Sequence, residues 1–87
     1  MIDLYYLYKN LPSIDLHGMN RFEAIEKVDG FIKENIVLKK QLVSVIHGKG
    51  SGILKKSLYD YLKNNKNVIA YKLDIYNDGQ TIIELKI

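Results

Sequence analysis

Four stretches of the sequence have the pattern of β-strands. Apolar positions alternate with polar or charged ones in three of them, and the fourth is a short run rich in β-branched residues. The predicted strands cover residues 13–17, 42–46, 69–75 and 83–87. Gly18 ends the first strand, and the pair Asp78-Gly79 is a turn signal between the last two. The final two strands are therefore expected to form a hairpin.

Two stretches between these strands have helical spacing. Asn20 is followed three residues later by Glu23, the pattern of a capping box, and a helix is predicted over about residues 21–35. A second helix is predicted over about residues 53–63, where apolar residues recur at helical intervals before Asn64 and Asn65.

The predicted order is β-α-β-α-β-β, with two strand-helix-strand units followed by a hairpin. Such units place their strands parallel, so the first three strands are expected to be parallel and the hairpin to add an antiparallel edge. Because the last two strands carry charges on one face, both helices are expected on the other. The predicted fold class is an α/β two-layer sandwich with a four-stranded mixed sheet. Residues 13–87 form its single domain, and residues 1–12 are expected to form a short helix packed outside it.

Composition excludes several classes of protein. A chain of 87 residues has room for one small core. The absence of cysteine excludes disulfide scaffolds, thiolate metal sites and cysteine nucleophiles, and two histidines cannot make a three-histidine metal cage. The longest apolar run, residues 4–8, is too short to cross a membrane, and the start has no pattern of a secretory signal. A cytoplasmic location is therefore expected, with no membrane partner.

The positive charge lies in the second half of the chain. The net charge is +3, and residues 1–46 carry equal numbers of basic and acidic groups. Five lysines fall between positions 47 and 66, opposed only by Asp60. A positive field there makes phosphate-bearing partners the first expectation.

Chemistry-bearing residues gather at the ends of the first two predicted strands. His17 and His47 each end a strand and precede a glycine, while Asp15 and Lys49 lie two residues away from them. Ligands of open α/β sheets bind beyond the carboxyl ends of the strands. If the two strands are neighbours, these four side chains, the candidate catalytic residues, share one cleft.

The loop after His47 has the composition of an anion site. Its glycines let backbone amides approach an anion, and a helix N-terminus follows directly. The candidate phosphate-binding residues are Gly48, Gly50, Ser51, Gly52, Lys55 and Lys56. The spacing fits neither a Walker loop nor a dinucleotide fingerprint, so a nucleotide cofactor is not expected. For each of these residues an ordinary structural role, such as turn geometry, capping or a surface ion pair, stands as the alternative.

Two motifs in this order resemble those of the Smr (small MutS-related) domain. They are Ile14-Asp15-Leu16-His17-Gly18 and His47-Gly48-Lys49-Gly50-Ser51-Gly52-Ile53-Leu54-Lys55, and the end of the chain, residues 78–85, is similar to that domain's closing strand. The resemblance covers about residues 14–87 and points to a stand-alone member.

The resemblance implies a fold similar to the C-terminal domain of translation initiation factor three. It also implies nicking or RNA-cleaving endonuclease activity, or binding to nucleic acid or the ribosome. It places Asp15, His17, His47, Lys49 and Gly50 on the family's active-site motifs. Lys55 stands where the family usually has arginine; lysine keeps the charge but loses the planar fork that grips a phosphate, so binding is implied more firmly than cleavage.

The leading hypothesis is an endonuclease acting on RNA or on single-stranded or branched DNA. His47 would be the general base or acid and His17 the second such group, while Asp15 would orient a histidine or hold a divalent ion such as Mg²⁺ or Mn²⁺. Lys49, Lys55 and the loop amides would neutralise the charge that grows on phosphorus. Whether a metal takes part stays open, as does the oligomeric state.

The competing hypothesis is a non-catalytic module that docks on RNA, DNA or the ribosome through the same basic loop. A small-molecule phosphate hydrolase is disfavoured, because so small a core leaves little room for a deep pocket.

Overall fold

A computed structural model of the protein describes residues 11–87. The elements follow the predicted order, and they are β1 (Ser13–Asp15), α1 (Arg21–Val37), β2 (Leu42–Ile46), α2 (Ile53–Lys63), β3 (Val68–Leu73) and β4 (Gln80–Leu85). The bounds of β2 and α2 agree with the prediction, whereas β1 is shorter than predicted and β4 begins earlier. The predicted helix over residues 1–12 falls almost wholly outside the described residues.

The four strands form one mixed sheet in the order β1-β2-β4-β3. β1 pairs with β2 in parallel, with Asp15 opposite Ile46. β4 is antiparallel to both of its neighbours, β2 and β3. The first three strands therefore run in one direction, as predicted.

The place of β4 adds a detail to the prediction. The hairpin was expected to add an antiparallel edge, and it does: β3 forms the edge, antiparallel to β4, which lies between β2 and β3. The reason is burial: Thr81, Ile82 and Ile83 are all at most 1% exposed, so this stretch of β4 is covered on both faces, as a central strand is. β3 instead exposes Ile69 and has an irregular register at Val68 and Ala70, both tolerated at an edge.

Both helices pack on one face of the sheet and close a single core. The buried apolar side chains come from both helices and from the strands, and they are Leu16, Ala24, Val28, Ile32, Val43, Val45, Leu58, Leu62, Ile83 and Leu85. The two helices are also joined by the Tyr61 hydroxyl, which donates to Asp29 Oδ1 at 2.6 Å. Burial, together with this carboxylate, raises the pKa of Tyr61 to about 12. The chain is thus a two-layer α/β sandwich.

The capping box predicted for the first helix is present. The Asn20 side chain accepts from the Glu23 amide at 2.9 Å, and the Glu23 carboxylate accepts from the Asn20 amide at 3.1 Å. This reciprocal pair satisfies two amides at the start of α1 and fixes where the helix begins. The first turn of α1 is therefore held firmly beside the end of β1.

Neither helix among residues 11–87 combines the length and apolar character needed to span a bilayer.

Candidate functional site

The strand ends that carry the two histidines lie side by side. The ladder of β1 and β2 extends past Asp15, because the Leu16 amide donates to the Ile46 carbonyl at 2.9 Å. His17 and His47 follow these two residues in the chain. The prediction that these two strand ends meet at one edge of the sheet is confirmed.

The glycine-rich loop after β2 is anchored on the hairpin turn. The Gly79 carbonyl accepts from the amides of His47 and Gly48, at 2.9 and 2.8 Å. A Cβ built on Gly79 would lie 3.5 Å from the Gly48 Cα, so the two backbones are in contact. Gly48 has a φ of +80°, the left-handed region that glycine adopts without strain. The loop therefore takes its shape from the β3–β4 turn as well as from its own sequence.

The loop leads into α2 without a side-chain cap. Gly52, with a φ of +83°, is the N-cap residue and has no side chain to offer. The Ser51 hydroxyl reaches the Ile53 amide only at 3.4 Å. The amide groups of the first turn need acceptors from solvent or a ligand, and the positive end of the helix dipole favours an anionic one.

His47 lies inside the protein with polar partners on both ring nitrogens. Its residue is 7% exposed, Nδ1 lies 2.8 Å from the Gly48 carbonyl oxygen, and Nε2 lies 2.9 Å from the Thr81 hydroxyl. A carbonyl oxygen only accepts, so neutral His47 carries its proton on Nδ1 and donates it to Gly48. Nε2 then accepts from Thr81, whose oxygen accepts in turn from the Tyr59 hydroxyl at 2.9 Å.

This environment keeps His47 neutral near pH 7. Burial lowers the pKa of His47 below its ordinary value of 6.5, and the charge of nearby Lys55 acts in the same direction, while the Gly48 carbonyl opposes it. Since both nitrogens are already bonded, proton exchange with a ligand would require Thr81 to give up its bond. The geometry favours His47 as the residue that holds the glycine loop in place.

Asp15, the last residue of β1, and His17, in the turn that follows, lie on the surface. Asp15 Oδ1 accepts from the His17 amide at 2.9 Å, which turns the chain directly after β1. The Met19 amide donates to the Leu16 carbonyl at 3.0 Å, with Gly18 at a φ of +78° between them. Both predicted side chains are exposed. They are therefore reachable by a large ligand that covers this edge of the sheet.

The predicted lysines already have partners within the protein. Lys49 Nζ lies 3.1 Å from Asp78 Oδ1, with both side chains largely exposed. Lys55 Nζ lies 5.7 Å from the centre of the Tyr59 ring, and Lys56 Nζ lies 3.4 Å from Asp60 Oδ2. The exposed ion pairs of Lys49 and Lys56 are weak, so these two ammonium groups can turn to a phosphate at small cost.

An open cleft of about 670 Å³ lies between the loop after β1 and the glycine loop. Its lining residues are Met19, Asn20, Arg21, Phe22, His47, Gly50, Ser51, Gly52, Ile53 and Leu54. Of the predicted site residues, the cleft includes His47, Gly50, Ser51 and Gly52. The structure places the others outside its lining: Asp15, His17, Gly48, Lys49, Lys55 and Lys56.

No ready-made metal cage is present in the described part of the chain. Among residues 11–87, no three histidine, aspartate or glutamate side chains lie close enough to hold an ion together. An ion held through Asp15 would take its remaining ligands from water and phosphate, an arrangement that suits Mg²⁺.

Sequence reasoning did not assign roles to Thr81, Tyr59 or Phe22. Thr81 shares the inward face of its strand with Ile83 and Leu85, so a hydroxyl on an apolar face was the available signal. Phe22 precedes the buried Ala24 and lies on the exposed side of α1, where an aromatic residue is out of pattern.

A sequence model described as the Smr domain matches residues 14–86, most of the chain. The chain belongs to the Smr domain family. Its Smr domain is 45% identical over 76 residues to "Endonuclease MutS2" of Clostridium tetani, an alignment that covers 84% of this chain and 10% of that protein. "Endonuclease MutS2" of Clostridium botulinum (strain ATCC 19397 / Type A) is 40% identical over 77 residues, covering 85% of this chain and 10% of that protein. The chain thus spans about one tenth of the length of these curated relatives.

Solved structures agree with this family assignment. The Smr domain of Thermus thermophilus MutS2 superposes with a TM-score of 0.86 at 26% identity, covering 88% of this chain and all (100%) of that one. YdaL, a stand-alone small MutS-related protein from Escherichia coli, superposes with a TM-score of 0.82 at 23% identity, covering 86% of this chain and 64% of that one. At that identity YdaL supports the fold alone.

Proposed function

We propose that this Smr domain binds nucleic acid in the cleft between the loop after β1 and the glycine loop, and that it cleaves phosphodiester bonds at the adjacent edge. One observation carries the proposal: the glycine loop and an uncapped helix N-terminus line one open cleft together with His47, and the end of β1 that bears Asp15 and His17 lies directly beside the end of β2. The names of the MutS2 relatives, "Endonuclease MutS2", support the proposed cleavage.

Phosphate is the group that the glycine loop suits. The backbone around Gly50 and Gly52 is free of Cβ atoms, and space is open around both residues, so a phosphate oxygen can approach the amides closely. Lys49, Lys55 and Lys56 surround this loop and strengthen the attraction over several ångströms. Contacts of this kind bind the backbone of nucleic acid without reading its sequence.

His17 is the better candidate for proton transfer. Its imidazole is on the surface at the strand end, whereas both ring nitrogens of His47 are bonded within the protein. Asp15 Oδ1 accepts from the His17 amide and so fixes the turn after β1. Oδ2 of the same carboxylate can bind an ion or a water molecule. His47 then acts as a positioning residue for the loop, and Lys49, which lies within the glycine loop, adds positive charge beside a phosphate bound there.

A non-catalytic module is the second candidate, and the enclosed state of His47 favours it. If His17 alone cannot provide both general acid and general base, the same surface still docks on RNA, on DNA or on the ribosome through phosphate contacts. Lys55, in place of an arginine, provides charge for such binding without bidentate contact to a phosphate.

The test separates binding from cleavage. Labelled single-stranded RNA and supercoiled circular DNA are incubated with the protein in Mg²⁺, in Mn²⁺ and with a chelator, while binding is measured in parallel at several salt concentrations. We expect His17→Ala and Asp15→Asn to reduce cleavage by about 10²- to 10⁴-fold, the usual contribution of acid–base groups, and to leave binding intact. Asp15→Asn keeps an oxygen that can accept from the His17 amide, so it tests the charge rather than the turn. Glu26→Gln, an exposed carboxylate on α1, is the matched control.

Each result has a distinct meaning. Salt-dependent binding with no cleavage by wild-type protein in any metal supports the docking module. Cleavage by His17→Ala at the wild-type rate removes His17 from the mechanism. Absence of binding to every nucleic acid at low salt overturns the proposal as a whole.

A further inference from the structure

Phe22 is an exposed aromatic residue in the wall of the cleft. Phe22 lies in the first turn of α1 and is 73% exposed, although Ala24, two residues later, is buried in the core. The Arg21 guanidinium carbon lies 5.0 Å from the centre of the Phe22 ring, within cation–π distance. Both residues line the same cleft as the glycine loop. The guanidinium lies over one face of the ring, so the pair offers an aromatic surface with a positive charge beside it on the exposed side of the helix.

The ring is attached to a firmly held piece of backbone. The capping box of Asn20 and Glu23, with hydrogen bonds of 2.9 and 3.1 Å, fixes the first turn of α1 on which Phe22 lies. A ligand that packs on the ring therefore meets a backbone that is already ordered, and the entropy lost on binding is smaller.

The opposite side of the cleft has a different chemistry. Ile53 is 57% exposed there and follows the glycine residues Gly50 and Gly52, which can contact a phosphate. The cleft thus has the Phe22 ring and the Arg21 guanidinium on one wall, and the loop amides with the apolar side chain of Ile53 on the other. A nucleotide matches these two walls, with an aromatic base at one end for the ring and a phosphate at the other for the amides.

We propose that Phe22, supported by Arg21, stacks on an unpaired base of the bound nucleic acid while the glycine loop holds a neighbouring phosphate. The inference rests on the proposed function and narrows it to substrates with accessible base faces, namely single strands, loops or branched junctions. In a perfect duplex the base faces are covered by neighbouring base pairs, so Phe22 has no partner there. The stacking is independent of sequence, because every base has a π face.

The experiment compares a labelled single-stranded oligonucleotide with its perfect duplex in direct binding titrations. With Phe22→Ala we expect affinity for the single strand to fall by about 5- to 150-fold, the range for one base–aromatic stack, and affinity for the duplex to change little. Phe22→Trp should restore single-strand binding. Val37→Ala, which truncates an apolar residue that is 79% exposed at the far end of α1, should change neither. Because both side chains are exposed, both variants are expected to fold, and thermal unfolding checks this.

A second probe tests the base itself. The same single strand with abasic sites keeps its phosphates and loses its bases. Wild-type protein should bind the abasic strand as weakly as Phe22→Ala binds the intact strand. The affinity of Phe22→Ala for the abasic strand should equal its affinity for the intact strand.

The outcomes separate the two proposals. If wild-type protein binds nucleic acid but Phe22→Ala binds the single strand as tightly as wild type, or weakens single strand and duplex equally, base stacking is wrong and the proposed function stands. If wild-type protein binds neither form at low salt, the proposed function fails and the inference with it.

Discussion

His47 Nε2 lies 2.9 Å from the Thr81 hydroxyl oxygen, although the two residues are 34 positions apart in the chain. The contact joins the end of β2 to the start of β4, which are neighbours in the sheet. Through it, the histidine that begins the glycine loop is tied to the middle of the sheet. The loop therefore depends on the hairpin for its position.

Replacing Thr81 with valine should destabilise the domain. Valine keeps the shape but removes the hydroxyl, which leaves Nε2 of a buried His47 without a partner and releases the Tyr59 hydroxyl. We expect a loss of about 1 to 3 kcal/mol in the free energy of unfolding, measured in urea. Tyr59→Phe removes only the outer hydrogen bond and should cost less, about 0.5 to 1.5 kcal/mol. A Thr81→Val protein as stable as wild type would contradict the hydrogen-bonded chain.

The stability of the domain should fall as the solution is acidified through pH 6.5. Burial lowers the pKa of His47 in the folded state, so the unfolded chain, with the ordinary value of 6.5, takes up the proton first. Protonation then favours unfolding, and the free energy of unfolding rises with pH from the folded-state pKa up to about 6.5. Above pH 6.5, His47 no longer contributes to the change of the free energy of unfolding with pH.

An NMR titration of the His47 ring protons measures this directly. The midpoint should lie below 6.5, and a midpoint above 6.5 would contradict the buried environment. Denaturation experiments at a series of pH values give the free energy of unfolding as a function of pH. Between mildly acidic and neutral pH, this free energy should rise less steeply with pH in His47→Gln than in wild type, because glutamine does not titrate.

Substitution by alanine should destabilise the domain at Gly52 but not at Gly50, although both glycines lie in the same loop. Gly52 has a φ of +83°, whereas Gly50 does not lie in the left-handed region, and space is open around both. Gly52→Ala should therefore cost about 1 to 2 kcal/mol of backbone strain. Gly50→Ala should leave stability nearly unchanged. Thermal unfolding of the pair checks this, and equal losses in both variants would mean that the loop has a different backbone conformation.

Lys49 should matter for binding and little for stability. Its ion pair with Asp78 joins two exposed side chains, and such pairs are worth about 0 to 1 kcal/mol. Lys49→Gln should leave the unfolding midpoint almost unchanged and should weaken single-strand binding. The plot of log affinity against log salt should become shallower by about 0.7, the loss of one phosphate contact.

Lys33→Gln is the matched control for Lys49. Lys33 also forms an exposed ion pair, 2.8 Å from Asp29, but it lies on α1 and not in the glycine loop. Its replacement should leave both the affinity and the salt dependence of binding unchanged. An equal loss of affinity in both variants would mean that net charge, and not the place of Lys49, governs binding.

Local patterns were sufficient to predict the elements that frame the site. The capping box of Asn20 and Glu23 involves residues three apart, and the glycine loop is a continuous stretch between a strand and a helix. These features depend on neighbours in the chain, so they can be read without knowledge of the fold. The parallel direction of the first two strands also followed, because a strand-helix-strand unit has few ways to pack, whereas their direct pairing was a condition that the structure decided.

The sequence by itself thus determined the order of elements, the common direction of the first three strands and the glycine loop that follows β2. Only the tertiary structure decided that the first two strands are neighbours and which of the residues at their ends face solvent. The insertion of β4 beside β2 brings Thr81 under His47 and buries the ring, while the turn after β1 keeps His17 outside. Likewise, Phe22 and the glycine loop line one cleft because two helices pack on the same face of the sheet. Such contacts join residues far apart in the chain, and burial depends on what the rest of the fold places around a side chain.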